Sequence, residues 1–176
     1  NRAGTLDLTT KLRDGRLRWK VPSGRWTILR LGFTLDDGRT KFGVSARTKN
    51  SSGSDSEGWE ADPWSARAMD CHFNATAGKL IQDAGPLTGS ALVQLHLDSW
   101  ETVQPTWTEG FLEEFRRRRG YDARPFLPTL ADRTVDDPGI TARFMWDYRR
   151  TAANLFAANH YGRLGQLSRA HGLGQD

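Results

Sequence analysis

Residues 91–101 read Ala91-Leu92-Val93-Gln94-Leu95-His96-Leu97-Asp98-Ser99-Trp100-Glu101, an apolar run that breaks into two carboxylates and a tryptophan. A short apolar run between turn signals suits a buried strand of the kind found in parallel sheets. Side chains alternate along a strand, so Val93, Leu95 and Leu97 share one face while Gln94, His96 and Asp98 share the other. In α/β folds ligands bind beyond the C-terminal ends of the strands. Asp98, Trp100 and Glu101 stand at such an end, which makes this the first place to look for chemistry. Glu101 joins Asp98 in one pocket only if the backbone turns or bulges after Asp98. His96 is read as a hydrogen-bonded interior residue rather than a metal ligand, since no second histidine stands at ligand spacing.

Helical patterns flank this strand. Upstream, Asp62 and Pro63 read as N-cap and first helical residue, and Ala66, Met69, Phe73, Ala77 and Leu80 recur at helical spacing before Gly85-Pro86. Downstream, a helix from about Glu109 to Arg119 puts Phe111, Leu112 and Phe115 on its inner face and ends at Gly120. Its start, near Trp107-Thr108, faces the same rim. Asp137-Pro138 opens a long helix with Ile140, Phe144, Tyr148, Ala152 and Leu155 in one stripe, running or kinking through Tyr161 to about Ala170 before Gly172. Helix, strand, helix, helix is the texture of part of an α/β domain. With one convincing core strand, the neighbouring strands are expected from sequence outside this chain.

Residues 1–35 differ. Leu6 and Leu8 alternate with polar residues, Asp14-Gly15 marks a turn, and residues 17–21 and 25–33 again look strand-like, predicting a small antiparallel sheet. Residues 36–57 are rich in Ser, Gly and Asp and read as a loop or linker. The organisation expected is therefore a β-rich segment over 1–35, a linker over 36–57 and part of an α/β domain over 58–176.

Composition bounds the function. The 176 residues carry 25 Lys and Arg against 21 Asp and Glu, with mean hydropathy -0.64. No apolar run approaches the ~20 residues of a membrane span. Cys71 is the sole cysteine, which excludes an internal disulfide, and no Cys/His quartet for zinc is present. The basic run Arg116 to Arg119 invites a nucleic-acid reading. It closes a helix that begins acidic, however, and cations in a last turn are what the helix dipole favours. Nucleic acid and membrane are therefore not expected partners.

Paired carboxylates beside an aromatic suit glycoside hydrolysis, in which one acid protonates the leaving oxygen and a second group activates water or attacks the sugar. The bland alternative is that Asp98 caps a strand end and Glu101 pairs with an arginine. A second functional class is a carbohydrate-binding module without catalysis, or a decayed enzyme fragment, with Trp19 and Trp26 as a sugar platform; large aromatics on strands more often pack inside.

Five blocks in order complete the reading: residues 24–30 (Gly-Arg-Trp-Thr-Ile-Leu-Arg), 58–62 (Gly-Trp-Glu-Ala-Asp), 97–101 (Leu-Asp-Ser-Trp-Glu), 107–122 with its Arg118-Arg119-Gly120 and Tyr121-Asp122, and 147–151 (Asp-Tyr-Arg-Arg-Thr). Together they resemble the glycoside hydrolase family 106 α-L-rhamnosidases over nearly the whole chain. The resemblance implies a secreted or periplasmic enzyme that removes terminal α-L-rhamnose from plant polysaccharides or rhamnosides with inversion, on a (β/α)8 barrel with a calcium ion in the site. This chain would be an internal stretch of it, a partial (β/α)8 TIM-barrel segment preceded by a small antiparallel, sandwich-like β segment, working with the remainder of the parent chain. By the same resemblance Glu101 is the general acid and Asp98 its supporting carboxylate, with Trp100, Trp107, His96 and Glu60 as candidates to line the substrate; Glu60 and Asp62 match a family block that either walls the active site or caps a helix, the cap being favoured for Asp62. No calcium ligand is assigned. The other catalytic carboxylate would lie on a later strand. The acids between Ala131 and Asp176 are Asp132, Asp136, Asp137, Asp147 and Asp176, none expected at a strand end, so the chain alone is expected to be inactive.

Overall fold

A computed structural model describes residues 2–33, 61–97 and 105–176. In chain order its elements are β1 (Leu12–Arg13), β2 (Arg16–Leu17), α1 (Ala66–Ala75), α2 (Ala77–Ala84), β3 (Gln94–Leu95), α3 (Phe111–Arg119), α4 (Pro138–Phe156), α5 (Arg163–Ala170) and β4 (Gly174–Gln175). A 3-10 stretch, Arg124–Ala131, precedes α4, and a π-helical stretch, Ala157–Gly162, joins α4 to α5. The chain is thus mixed α/β, with two small sheets among the described residues. No helix of the described residues is long and apolar enough to cross a membrane. Two compact units divide it, one of residues 1–33 and 110–151, the other of residues 34–109 and 152–176.

The first unit is held by aromatic rings. Phe111 and Phe115 from α3 and Phe144 and Tyr148 from α4 are buried, as the helical spacing predicts, and Phe126 from the 3-10 stretch joins them. Phe126 stacks on Phe144 at 4.9 Å between centroids, and Phe115 meets Tyr121 edge-on at 5.0 Å. Helix α3 ends where Gly120 takes a left-handed φ of 81°, and its amide donates to the Arg116 carbonyl. The arginine run is engaged locally: Arg117 and Arg118 both donate to Glu114, and Arg119 Nε donates to the buried Thr151 hydroxyl at 2.9 Å. Arg117 above all holds the Glu114 carboxyl below its ordinary pKa. Burial, helped by a hydrogen bond from its hydroxyl to Asp147, pushes the Tyr121 pKa well above that of a free phenol.

The expected N-terminal sheet is much smaller than its sequence pattern. Only β1 and β2 pair, antiparallel, across Asp14 and Gly15, both at positive φ as a tight hairpin turn demands. Residues 25–33 form no strand: Ile28, Leu31 and Phe33 lie exposed, Phe33 at 77%. Their alternation suits a pleated surface, but no strand among the described residues pairs with them, and an unpaired strand gains no ladder hydrogen bonds. Trp19 and Trp26 are neither core nor a flat platform, since their rings meet edge-on at 5.3 Å.

In the second unit Met69, Phe73 and Leu164 form a buried cluster, against which Ala77, Ile81, Leu95, Leu97 and Leu167 pack. The helix expected over 66–80 breaks at Thr76, whose hydroxyl donates back to the His72 carbonyl at 2.7 Å and whose φ and ψ leave the helical region. The N-cap is Ser65, not Asp62: Ser65 Oγ accepts from the Ala68 amide, and the helix starts at Ala66. Strand β3 is shorter than the 91–97 run, with Val93 exposed and Leu95 half-buried. Its parallel partner lies inside the chain. After α5, Gly172 at φ 72° turns the backbone, the Leu173 amide donates to the Ser168 carbonyl, and β4 follows at once beside β3.

Candidate functional site

The β3–β4 pair positions the polar groups. Gly174 N–H donates to the Val93 carbonyl, Asp176 N–H to that of Leu95, and Leu97 N–H to that of Asp176, at 2.9, 3.3 and 3.1 Å. This ladder aligns the two strands in the same direction and brings Asp176 beside His96 at their C-terminal ends. Leu95 and Leu97 turn to the helical cluster. Strand parity then sends Gln94 and His96 the other way. There, Gln94 Nε2 donates to Asp176 Oδ2 at 2.8 Å, and His96 Nδ1 lies 3.2 Å from Asp176 Oδ1. The His96 and Asp176 side chains are 67% and 55% exposed, so this face is open.

Asp176 therefore corrects the expectation that no acid between Ala131 and Asp176 ends a strand. It also corrects the expectation that every parallel neighbour of β3 lies outside the chain. The sequence signal was slight: two residues, Gly174 and Gln175, carry no β preference, and only Gly172 followed by buried Leu173 marks a helix end turning into a strand.

Of the residues expected to form the site, Glu101, Asp98, Trp100 and Glu60 lie outside the described residues, as does the linker over 36–57. His96 lies on the rim as described, hydrogen-bonded to Asp176 but 67% exposed among the described residues, not in the interior that the sequence reading expected. Trp107 is half-buried just before Thr108. Thr108, itself buried, donates to Asp62 Oδ2 at 2.5 Å, and Asp62 Oδ1 accepts from the Trp64 amide at 2.8 Å. Asp62 thus ties the approach to α1 to the approach to α3, a role that the reading as a cap missed. Asn159, on the π-helical stretch, donates to the Trp64 carbonyl at 2.6 Å and fastens the same corner.

Calcium takes six to eight oxygen ligands. Among the described residues no three His, Cys, Asp or Glu side chains converge, so these residues do not form such a cage. The chemistry they do offer is a carboxylate, an imidazole and a carboxamide on one open face, a set suited to hydrogen-bonding the hydroxyls of a polar, uncharged ligand.

Known proteins similar to the chain carry glycosidase names, though not for the same sugar. A curated protein of Formosa agariphila named "Putative beta-glucuronidase" is 36% identical over 169 residues, which is 96% of this chain and 14% of that protein. A solved structure, the rhamnosidase of Novosphingobium sp. PP1Y, superposes with a TM-score of 0.75 at 28% identity, over 99% of this chain and 16% of that one. The chain thus spans about a sixth or less of the proteins it matches. The profile of glycoside hydrolase family 106, described as alpha-L-rhamnosidase, matches residues 1–175, and the chain belongs to that family.

Proposed function

We propose that this chain is part of the catalytic region of an α-L-rhamnosidase that hydrolyses terminal α-L-rhamnosyl linkages of plant polysaccharides or rhamnosides with inversion. The observation that carries the reading is the family match over residues 1–175, and the grouping of Gln94, His96 and Asp176 on one face at the C-terminal ends of two adjacent parallel strands supports the location of the site. In a (β/α)8 barrel that is the end where substrate binds, with the opposite face against helices, as Leu95 and Leu97 are here. Residues 58–176 are then a barrel segment whose remaining strands belong to the rest of the parent chain. Glu101, a few residues beyond β3, is the general acid, and Asp98 orients it or a sugar hydroxyl; Trp100, Trp107 and Glu60 complete the substrate wall. An extracytoplasmic location and a calcium ion held by residues other than the described ones belong to the same proposal.

The experiment is turnover by the parent enzyme carrying Glu101→Gln. Loss of the acid should slow unactivated rhamnosides by about two to four orders of magnitude. Aryl rhamnosides with good leaving groups, whose departing oxygen needs little protonation, should be slowed less. Equal losses on both would assign Glu101 to binding. Cleavage of a β-glucuronide in place of a rhamnoside would overturn the substrate class.

A further inference from the structure

We propose that Asp176 is a positioning residue that acts through His96, fixing the imidazole so that its Nε2 accepts a hydrogen bond from a hydroxyl of the bound glycan. The inference rests on the glycosidase reading above. An ionised carboxylate only accepts, so the proton in the 3.2 Å contact belongs to His96 Nδ1. A neutral imidazole has one N–H, which leaves Nε2 as a lone-pair acceptor on the far edge of the ring. That edge is free to meet a ligand, because the side chain is 67% exposed.

Asp176 is in turn held from two sides. Its Oδ2 accepts from Gln94, and its backbone N–H and C=O are both committed to the ladder with Leu95 and Leu97. Gln94 thus lies in β3, and His96 and Asp176 directly follow β3 and β4, where the same ladder hydrogen bonds hold the backbone, the arrangement that keeps a ring within the narrow tolerance recognition requires. A fixed acceptor distinguishes a hydroxyl from the hydrogen of a deoxy sugar, because an analogue without the donor leaves the acceptor unpaired. Without Asp176 the ring can rotate and carry its proton on either nitrogen, and the acceptor is lost for part of the time.

The test is a double-mutant cycle in the parent enzyme, with kcat and KM measured on an aryl α-L-rhamnoside. His96→Ala should lower kcat/KM by about 30-fold and Asp176→Ala by about tenfold, mostly through KM, the scale of one or two hydrogen bonds. The double variant should fall within about threefold of His96→Ala alone, since a residue that acts through the ring adds little once the ring is gone. Asp176→Asn, which keeps an acceptor for Nδ1–H, should stay within about threefold of wild type. Both side chains are more than half exposed, so thermal transitions of all four variants should lie close to wild type. Asp176→Ala within twofold of wild type would overturn the proposal, and so would a double variant that loses the product of the two single effects. If the wild-type parent does not cleave rhamnosides, the rhamnosidase reading fails and the same cycle is run on the β-glucuronide; if it cleaves neither, both fall.

Discussion

Asp62 allows the structure to be set directly against the sequence pattern. As a plain helix cap, Asp62→Ala would cost about 1 kcal/mol and a change at Thr108 almost nothing. The structure gives the cap to Ser65 and makes Asp62 an acceptor for both the Trp64 amide and the buried Thr108 hydroxyl. Thr108→Val preserves shape and removes one charge-assisted hydrogen bond, worth about 1.5 to 3 kcal/mol when fully sheltered. Asp62 is only half-buried and partly rehydrates, so about 1 to 2 kcal/mol is expected. Asp62→Ala removes both bonds and strands the Thr108 hydroxyl, for a total of about 2 to 4 kcal/mol. Ser65→Ala, whose cap bond is a long 3.3 Å, should cost about 0.5 to 1 kcal/mol. The assay is amide hydrogen exchange of the parent protein, followed on peptides covering residues 61–76. Exchange there should quicken by about 5- to 30-fold in Thr108→Val and by about 30-fold or more in Asp62→Ala, at tenfold per 1.4 kcal/mol of local opening. Wild-type exchange in Thr108→Val, together with equal effects of Asp62→Ala and Ser65→Ala, would refute the reasoning and restore the cap.

Three further outcomes are expected. Phe144→Ala, which empties a site touching the rings of Phe115, Phe126 and Tyr148, should cost about 3 to 5 kcal/mol, read as lost exchange protection over α3 and α4. Burial pushes the Tyr148 pKa up to about 12, so the folded chain keeps its phenol proton after the unfolded chain has lost it. Stability from this group is intact below about pH 10 and declines between about pH 10 and 12; Tyr148→Phe should flatten that part of the alkaline unfolding curve relative to wild type. On the proposed inverting mechanism the 176-residue chain expressed alone should release no rhamnose, since inversion requires two carboxyl groups about 6.5 to 9.5 Å apart and the chain spans about a sixth or less of the proteins it matches. Turnover by the purified chain would contradict this.

What could be read from the sequence divides along physical lines. Helix α3 was legible because its information is local: Phe111 and Phe115 four apart, acids early, arginines late and Gly120 at the end. The π-helical interruption near Tyr161 was foreshadowed by a stripe that loses its spacing after Leu155. Residues 25–33 misled because alternation records only that a segment suits a sheet, and pairing depends on a partner that the pattern does not name. Asp62 misled for a different reason. An Asp two residues before an amide it accepts from and an Asp at an N-cap look alike in sequence, and Ser65 decides between them. On the rim, His96 could be found by strand parity, whereas Asp176 could not, because β4 is two residues long and exists only by virtue of its register with β3.

The π-helical stretch Ala157–Gly162 sets the angular phase of everything after it. A wide turn takes in one more residue than an α-helical turn, and each residue of an α-helix advances the screw by about 100°. Tightening this stretch to an ordinary α-helix with every residue kept would force the extra residue into the screw and rotate α5 by about that angle. Leu164 and Leu167 would swing off Met69 and Phe73, and Gly172 would aim β4 away from β3. The extra residue thus acts as a spacer in the helical screw, and the alignment of Asp176 with His96 is indexed to it.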